Sequence, residues 1–232
     1  MIARFEELDW QPTPMGDLML RRRSEPTTGQ EIYEVKLGEE YLMSSLFTVA
    51  EEELATLGLA ATEGEKLTVL VGGLGLGYTA VTALRDKRVG ALTVIDRLGT
   101  VIDWHERMLL PVSAELVGDA RTNLVEDDFF ARMRSDPADR YSAILLDVDH
   151  SPRHQLDPTH AHLYTAEGLR ELDRHLASRG VFALWSDDPP DDLFMVDLNA
   201  VFDDAVAHVV DFDNPLTGGV SSNTVYVARS RG

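Results

Sequence analysis

The sequence predicts an α/β protein: an open, doubly wound and mostly parallel seven-stranded sheet, preceded by a small N-terminal β-meander. Three observations carry this prediction. Short β-type segments separated by turn residues extend to Ser44, a repeating strand–loop–helix alternation begins at Leu67, and a Gly/Ser/Asn-rich connection joins two strand-like segments near the C-terminus. Strands that alternate with helices form a parallel sheet covered on both faces, whereas a closing hairpin adds an antiparallel edge.

The elements follow in order from turn residues and periodicity. The meander has strands at 16–23, 31–37 and 41–44, and a helix at 48–57 has Thr48 as its N-cap and Glu51 at the capping-box position. We expect residues 1–60 to form the meander and linking helix, and 61–232 to form a Rossmann-like catalytic domain. In that domain the pattern predicts strands at 67–71, 91–95, 122–125, 142–146, 181–185, 207–212 and 224–228, and helices at 78–85, 100–109, 129–134, 165–177 and 193–205.

Composition excludes several classes of function. The 232 residues contain no Cys, so disulfides, thiolate metal sites and a cysteine nucleophile are ruled out. There is no apolar run long enough for a membrane helix and no secretory leader at the N-terminus, so we expect a cytoplasmic protein. The net charge of −19 repels phosphate backbones and anionic lipid, which argues against nucleic acid or membrane partners. It is compatible with a cationic small substrate or with a salt-adapted surface.

The sharpest motif is a glycine-rich turn between a buried strand and a helix. Its spacing, Gly73-x-Gly75-x-Gly77, is followed directly by Tyr78. Glycines let the backbone turn tightly and approach a ligand, while the helix N-terminus offers free N–H groups. The loop lacks the Lys-Ser/Thr ending of a phosphate-binding P-loop, and Tyr78 breaks the dinucleotide fingerprint. The spacing resembles motif I of class I S-adenosylmethionine (SAM)-dependent transferases, which implies that Tyr78 covers the cofactor.

Acidic residues end the next two strands. Asp96 closes the second strand of the sheet, where a carboxylate can accept the two ribose hydroxyls of an adenosyl group; its alternative role is to cap the loop. Asp127 follows the third strand, where that superfamily commonly places a carboxylate near the adenine amino group. The neighbouring Asp128 is an equally good N-cap for the next helix.

The fourth strand is followed by a cluster of polar side chains. It contains Asp147, Asp149 and His150, and in open α/β sheets ligands bind beyond the carboxyl ends of the strands. Close carboxylates raise one another's proton affinity and that of a neighbouring imidazole, which suits a general base acting on an attacking amine or hydroxyl. Asp147, immediately after the strand, is the first choice for this base; a solvated turn is the alternative.

Together these segments resemble spermidine synthases. The similarity spans about residues 35 to 228 and is strongest from 67 to 188. It implies the class I adenosyl-binding fold, a homodimer, and Asp147 at the position of the family's amine-activating aspartate. The matching segments, in order, are 72–77, 93–96, 110–111, 126–128, 145–149, 163–168 and 179–182.

The chain also departs from the pattern of that family. Gly75 occupies the position of the Asp that holds the ammonium of decarboxylated SAM, and Val94 replaces the acidic residue of strand two. His150 takes the position of the second aspartate of the Asp-x-x-Asp-Pro motif, and the Tyr-His-Glu segment has no counterpart around 44–53. A buried ammonium without a carboxylate partner is unfavourable, so these changes predict a loss of specificity for the cationic ends of the substrates.

Three hypotheses follow. The first is methyl transfer from SAM to a small-molecule acceptor, because the cofactor pattern is intact while the aminopropyl pattern is not. The second is aminopropyl transfer from decarboxylated SAM to a polyamine, with Asp147, Asp149, Asp187 and Asp188 as amine ligands. The third is a binding protein that keeps the fold without chemistry. The same aspartates also resemble the Mg²⁺ ligands of catechol O-methyltransferases, but a turn is the preferred interpretation and no metal is expected.

Overall fold

A computed structural model describes residues 5–13, 16–26 and 28–232. Residues 1–4, which belong to the segment examined for a leader, lie outside the described residues. The chain begins with a four-stranded antiparallel sheet in sequential order: β1 (Phe5–Thr13), β2 (Gly16–Ser24), β3 (Glu31–Leu37) and β4 (Glu40–Ser44). The meander is confirmed, and β1 is a strand that the turn pattern did not predict.

The second sheet has seven strands in the order β10-β11-β9-β8-β5-β6-β7, and it confirms all seven predicted strands. The inner strands are parallel, while β11 runs antiparallel to both β9 and β10. The chain order reverses between β5 and β8, a switch that opens a crevice at the strands' carboxyl ends. The strands are β5 (Leu67–Gly72), β6 (Val89–Asp96), β7 (Thr122–Glu126), β8 (Tyr141–Leu146), β9 (Leu176–Ser186), β10 (Asp203–Asn214) and β11 (Gly219–Arg229).

Helices cover both faces of the large sheet. They are α1 (Val49–Ala61), α2 (Tyr78–Arg85), α3 (Gly99–Glu106), α4 (Ser113–Gly118), α5 (Phe129–Arg134), α6 (Ala166–Asp173) and α7 (Asp192–Val201), with a 3₁₀ helix at Pro158–Tyr164. The sequence pattern missed α4 and the 3₁₀ helix, and it extended the sixth helix into residues that begin β9. None of the helices in the described part of the chain is both long and apolar enough to cross a bilayer.

The small sheet packs directly against the larger one. Leu18, Leu20 and Val35 of the small sheet are fully buried in the same hydrophobic cluster as Leu74 and Leu76 of the glycine-rich loop. Burying a leucine side chain contributes roughly 1.5–3 kcal/mol, so this contact fixes the meander over the loop. The N-terminal sheet therefore helps to build the crevice at the ends of β5 and β8.

Candidate active site

Glycines shape the loop between β5 and α2. Gly73 has a φ of 91°, and a Cβ there would overlap the carbonyl oxygen of Asp147 at the end of β8. Gly77, with a φ of 89°, is the N-cap of α2 and would bring a Cβ within 2.7 Å of the His105 ring. Only glycine combines this backbone conformation with such close neighbours. The predicted glycine turn is therefore a close crossing of three chain segments.

His105 anchors the same loop from α3. Its side chain is fully buried, with Nε2 3.0 Å from the Gly75 carbonyl oxygen and Nδ1 3.3 Å from the Ser113 hydroxyl. Because a carbonyl only accepts, Nε2 carries the hydrogen and the serine hydroxyl donates to Nδ1. Burial lowers the pKa of His105, so the ring is neutral at neutral pH. This histidine holds the loop and was missed in the sequence, where nothing links it to the glycines.

Asp96 lies at the end of β6, and its carboxylate accepts hydrogen bonds from the backbone of neighbouring loops. One carboxylate oxygen accepts the Leu74 N–H at 2.9 Å and the other accepts the Leu98 N–H at 2.8 Å. Burial raises the pKa of Asp96, and these backbone N–H groups, with that of Gly75, partly offset the effect. The carboxylate borders the cavity beside the loop, so the ribose role remains a prediction. The contacts do establish the alternative role considered in the sequence analysis, in which Asp96 caps the loop.

A mainly apolar cavity, here called the glycine-loop cavity, opens beside Gly73 and Gly75. The small sheet contributes Leu18, Val35, Leu42 and Met43 to its wall, and the large sheet contributes the strand-end residues and the α5 aromatics. These apolar walls, bordered by the Asp96 carboxylate, have the character of a site for a flat, partly apolar group such as an adenosyl group. A Cβ at Gly75 would lie 3.0 Å from the Met43 sulfur, so a longer side chain at position 75 would displace Met43.

The two aspartates after β7 have separate roles. Asp127 accepts the Arg132 guanidinium at 2.9 Å, and its other oxygen accepts the Asp128 N–H. Asp128 caps α5 by accepting the Ala131 N–H at 2.9 Å, and it is Asp128 rather than Asp127 that borders the glycine-loop cavity. The predicted adenine contact of Asp127 is therefore not supported by its position, because its carboxylate is turned towards Arg132.

A second cavity of about 590 Å³, here called the acidic cavity, adjoins the first at the glycine loop. Asp147 and Glu51 both border it. Asp147 Oδ2 accepts the Thr79 hydroxyl at 2.7 Å, and that hydroxyl is also 3.2 Å from the Glu51 carbonyl oxygen. Burial raises the pKa of Glu51 to about 8, assisted by the nearby charge of Asp147, and burial raises that of Asp147 to about 6. At neutral pH the pair therefore shares a proton.

Asp187, just after β9, completes this acidic group. It adds to the electrostatic effect on Glu51, and its carboxylate accepts the Asn223 side-chain amide at 2.7 Å. Its N–H donates to the His150 carbonyl oxygen at 2.7 Å, which ties the loop after β8 to the loop after β9. His150 borders the acidic cavity, as do Tyr78 and Trp185. Of the four aspartates named above as amine ligands, Asp147 and Asp187 both border the acidic cavity.

Asp149 and Asp188 lie elsewhere. The fully buried Asp149 carboxylate accepts the Tyr164 hydroxyl at 2.7 Å, the Leu156 N–H at 2.8 Å and the His160 ring nitrogen at 2.8 Å. Asp188 accepts the Ser151 hydroxyl at 2.6 Å and the His154 ring at 2.8 Å. The predicted catalytic role of Asp149 is not supported, because its oxygens are used to fold the loop after β8 and border neither cavity.

Glu51 is the site residue that sequence reasoning assigned differently. The capping box was expected to use it, but Thr48 makes no side-chain capping bond and its hydroxyl donates to Glu52 at 2.9 Å. In the run Glu51-Glu52-Glu53 no local signal marks which carboxylate faces the sheet. Only the packing of α1 across β8 and β9 turns Glu51 towards Asp147. Within the described ranges, no group of three His, Asp or Glu side chains has the arrangement of a metal site.

The chain has an open α/β fold with a mostly parallel seven-stranded sheet and a crevice beside the glycine-rich loop after β5. No protein-family model and no curated protein matches the sequence. The fold does match solved spermidine synthases. A spermidine synthase in complex with the transition-state analogue AdoDATO has a TM-score of 0.72 and 18% identity, and the match covers 97% of this chain and 72% of that one.

Two further structures agree. The spermidine synthase from Thermotoga maritima has a TM-score of 0.72 at 17% identity, with the same coverage of both chains. A probable spermidine synthase from Corynebacterium glutamicum has a TM-score of 0.65 at 14% identity, covering 97% of this chain and 79% of that one. The resemblance noted in the sequence is thus confirmed for the fold, from the N-terminal meander to the closing hairpin.

Proposed function

We propose that this chain is an aminopropyltransferase that uses decarboxylated SAM as donor and an amine as acceptor. The observation that carries the proposal is the acidic cavity, in which Glu51, Asp147 and Asp187 converge beside the glycine loop. Buried carboxylates are unfavourable unless a cation or hydrogen-bond donors neutralise them. A cationic ligand supplies that charge. The fold shared with spermidine synthases supports the same conclusion.

The charge of the cavity also favours one donor over another. Decarboxylated SAM carries an ammonium on its aminopropyl tail, whereas SAM carries a carboxylate as well. Among the described residues bordering the acidic cavity there is no Arg or Lys, and His150 is the only basic side chain. A donor carboxylate would face like charges without a partner. Methyl transfer from SAM, the first hypothesis from the sequence, therefore has weaker support than aminopropyl transfer.

The glycine-loop cavity holds the adenosyl part of the donor in this proposal. The apolar side chains of Leu18, Val35 and Met43 exclude water from one side, and the polar residues Asp96 and Asp128 border the same cavity. When bound, decarboxylated SAM supplies an electrophilic carbon next to a positively charged sulfur. Alignment of this carbon with the acceptor nitrogen requires only a fixed position for each, which the two adjoining cavities provide.

Asp147 is the general base of the proposed reaction. The amine must lose a proton to expose its lone pair, and a carboxylate whose pKa is raised to about 6 accepts that proton near neutral pH. The nitrogen lone pair then forms the new C–N bond, while the C–S bond breaks and leaves its electron pair on sulfur. The products are the aminopropylated amine, neutral 5′-methylthioadenosine and one proton. The Thr79 hydroxyl holds one Asp147 oxygen, which leaves the other for the amine.

The test is a product assay. We expect purified protein with decarboxylated SAM and a panel of primary amines to release 5′-methylthioadenosine, and mass spectrometry to find the amine enlarged by an aminopropyl group. A parallel assay with SAM tests methyl transfer. Release of S-adenosylhomocysteine from SAM, with no consumption of decarboxylated SAM, would overturn the proposal in favour of the methyltransferase hypothesis.

A further inference from the structure

The charged side chains of the acidic cavity are confined to one end. Glu51 comes from the first turn of α1, Asp147 from the end of β8 and Asp187 from the end of β9, a strand that pairs with β8. All three residues border the acidic cavity. A cationic group bound at this end can be neutralised fully. The position of these three carboxylates does not require a second cationic group of the acceptor at the other end of the cavity.

The other wall is the tip of the β10–β11 hairpin. Pairing of β11 with β9 stops at Thr224 and Ser186, whereas pairing with β10 continues from Val210 and Asn223 to Asn214 and Gly219. The five residues from Asn223 to Gly219 span about 14 Å beyond the sheet, which is four steps at a rise of ~3.4 Å per residue. The tip therefore projects past Asp187 and lengthens the cavity.

This wall is neutral where it faces the cavity. Its bordering side chains include Phe212, Ser221 and Asn223, and none of its bordering residues among those described is ionisable. Asp211 and Asp213 alternate onto the other, exposed face of β10. Ser221 accepts the Asn214 side-chain amide at 2.9 Å, so its own hydroxyl hydrogen is available to a ligand.

Aromatic packing fixes the hairpin against the rest of the cavity. The Phe212 ring lies 5.7 Å from the ring of Phe47, in the segment that leads into α1. Both rings border the cavity, and Tyr41 and Trp185 add further aromatic surface. A ligand that extends from the carboxylates towards the hairpin therefore meets apolar faces first and hydroxyl or amide groups beside them.

We propose that the acceptor is an amine with a single cationic end and a neutral, partly apolar body that lies along the hairpin. The inference rests on the proposed function in that the same cavity binds the acceptor. A linear diamine of similar length would place its second ammonium against Phe212 and Ser221 without a carboxylate. An ammonium in that position loses hydration and gains no ionic partner, whereas a hydroxyl can bond to Ser221.

The experiment compares two ligands that differ only at the far end: 6-aminohexan-1-ol and 1,6-diaminohexane. Binding is measured by calorimetry on the whole chain in the presence of 5′-methylthioadenosine, so no turnover is needed. We expect the amino alcohol to bind at least fivefold more tightly. Equal or tighter binding of the diamine, or binding of neither amine, would overturn the inference.

A matched pair of variants tests the wall itself. Ser221→Asp places a carboxylate opposite the far end, and Ser221→Asn gives nearly the same shape without the charge. We expect the aspartate variant to shift the ratio of affinities at least tenfold towards the diamine, while the asparagine variant keeps the amino alcohol preferred. The same shift in both variants, or none in either, would refute the account, because charge at the wall would not control the choice.

Turnover assays separate this inference from the proposed function. If the amino alcohol binds preferentially but decarboxylated SAM is never consumed, the proposed reaction is wrong and the inference about the amine stands. If decarboxylated SAM is consumed and the diamine is the better acceptor, the proposed reaction stands and the inference is overturned.

Discussion

Replacement of Glu51 by Gln should stabilise the ligand-free protein at alkaline pH. Burial of the wild-type carboxyl, with smaller contributions from the charges of Asp147 and Asp187, raises its pKa from 4.5 to about 8. Below pH 4.5 the carboxyl is protonated in both the folded and the unfolded chain, so it makes no difference to stability. Between pH 4.5 and 8 it ionises only in the unfolded chain, and the free energy of unfolding falls as the pH rises.

The size of the effect follows from the same values. The difference between 4.5 and about 8 corresponds to roughly 5 kcal/mol at ~1.36 kcal/mol per pH unit. Solvent at the cavity mouth and the proton shared with Asp147 reduce this, so we expect about 2 kcal/mol above pH 8. For a chain of 232 residues, this raises the melting temperature by about 4–8 °C.

The assay is thermal unfolding of the wild type and of Glu51→Gln from pH 4 to pH 9. The melting temperatures should agree at pH 4 and separate progressively as the pH rises. Glu53→Gln is the matched control, since it makes the same chemical change in the same helix outside both cavities. A pH-independent difference between wild type and Glu51→Gln, or the same profile for Glu53→Gln, would refute the placement of Glu51 among buried carboxylates.

Three further predictions concern the reaction and the loop. Asp147→Asn should still bind decarboxylated SAM, with a smaller preference for it over SAM, but should slow transfer by roughly 10²–10⁴-fold, because the base is lost. Wild-type activity should fall as the pH drops below about 6, and near wild-type single-turnover rates in the variant would exclude Asp147 as base. Asp96→Asn should lower both the melting temperature and the donor affinity, because one backbone N–H of the loop loses its acceptor. If binding weakens while the melting temperature stays unchanged, Asp96 acts on the ligand alone. Gly73→Ala should lower the free energy of unfolding, measured in urea, by several kcal/mol, because the alanine Cβ would overlap the Asp147 carbonyl oxygen. A change below about 1 kcal/mol would contradict the close crossing of the chain segments at Gly73.

The fold was largely predictable because its signals are local. Buried apolar strands alternate with amphipathic helices from Leu67 onwards, and glycine is required at position 73, where a left-handed backbone passes close to the Asp147 carbonyl. The strand β1 escaped prediction because its residues are mostly exposed or half-buried and alternate weakly. The short helix α4 follows a proline-containing turn and has too few residues to show a period.

The sequence predicted a site residue only where its position at the end of a strand determines its place in the crevice. Asp147 and Asp187 follow directly after neighbouring strands, so sheet geometry alone brings them to one edge. Asp149 lies only two residues from Asp147, but its carboxylate is hydrogen-bonded to Tyr164 and His160 and is therefore held in the core. Glu51 belongs to a run of three identical residues, and its role depends on tertiary packing that no spacing encodes.

The central claim is that the carboxylates beside the glycine loop select a donor without a carboxylate. The most direct test is calorimetric titration of the protein with decarboxylated SAM and, separately, with SAM, at pH 7.5 in the absence of an acceptor. The acidic cavity predicts at least tenfold tighter binding of decarboxylated SAM, and a smaller preference in Glu51→Gln. Equal or tighter binding of SAM would contradict the claim.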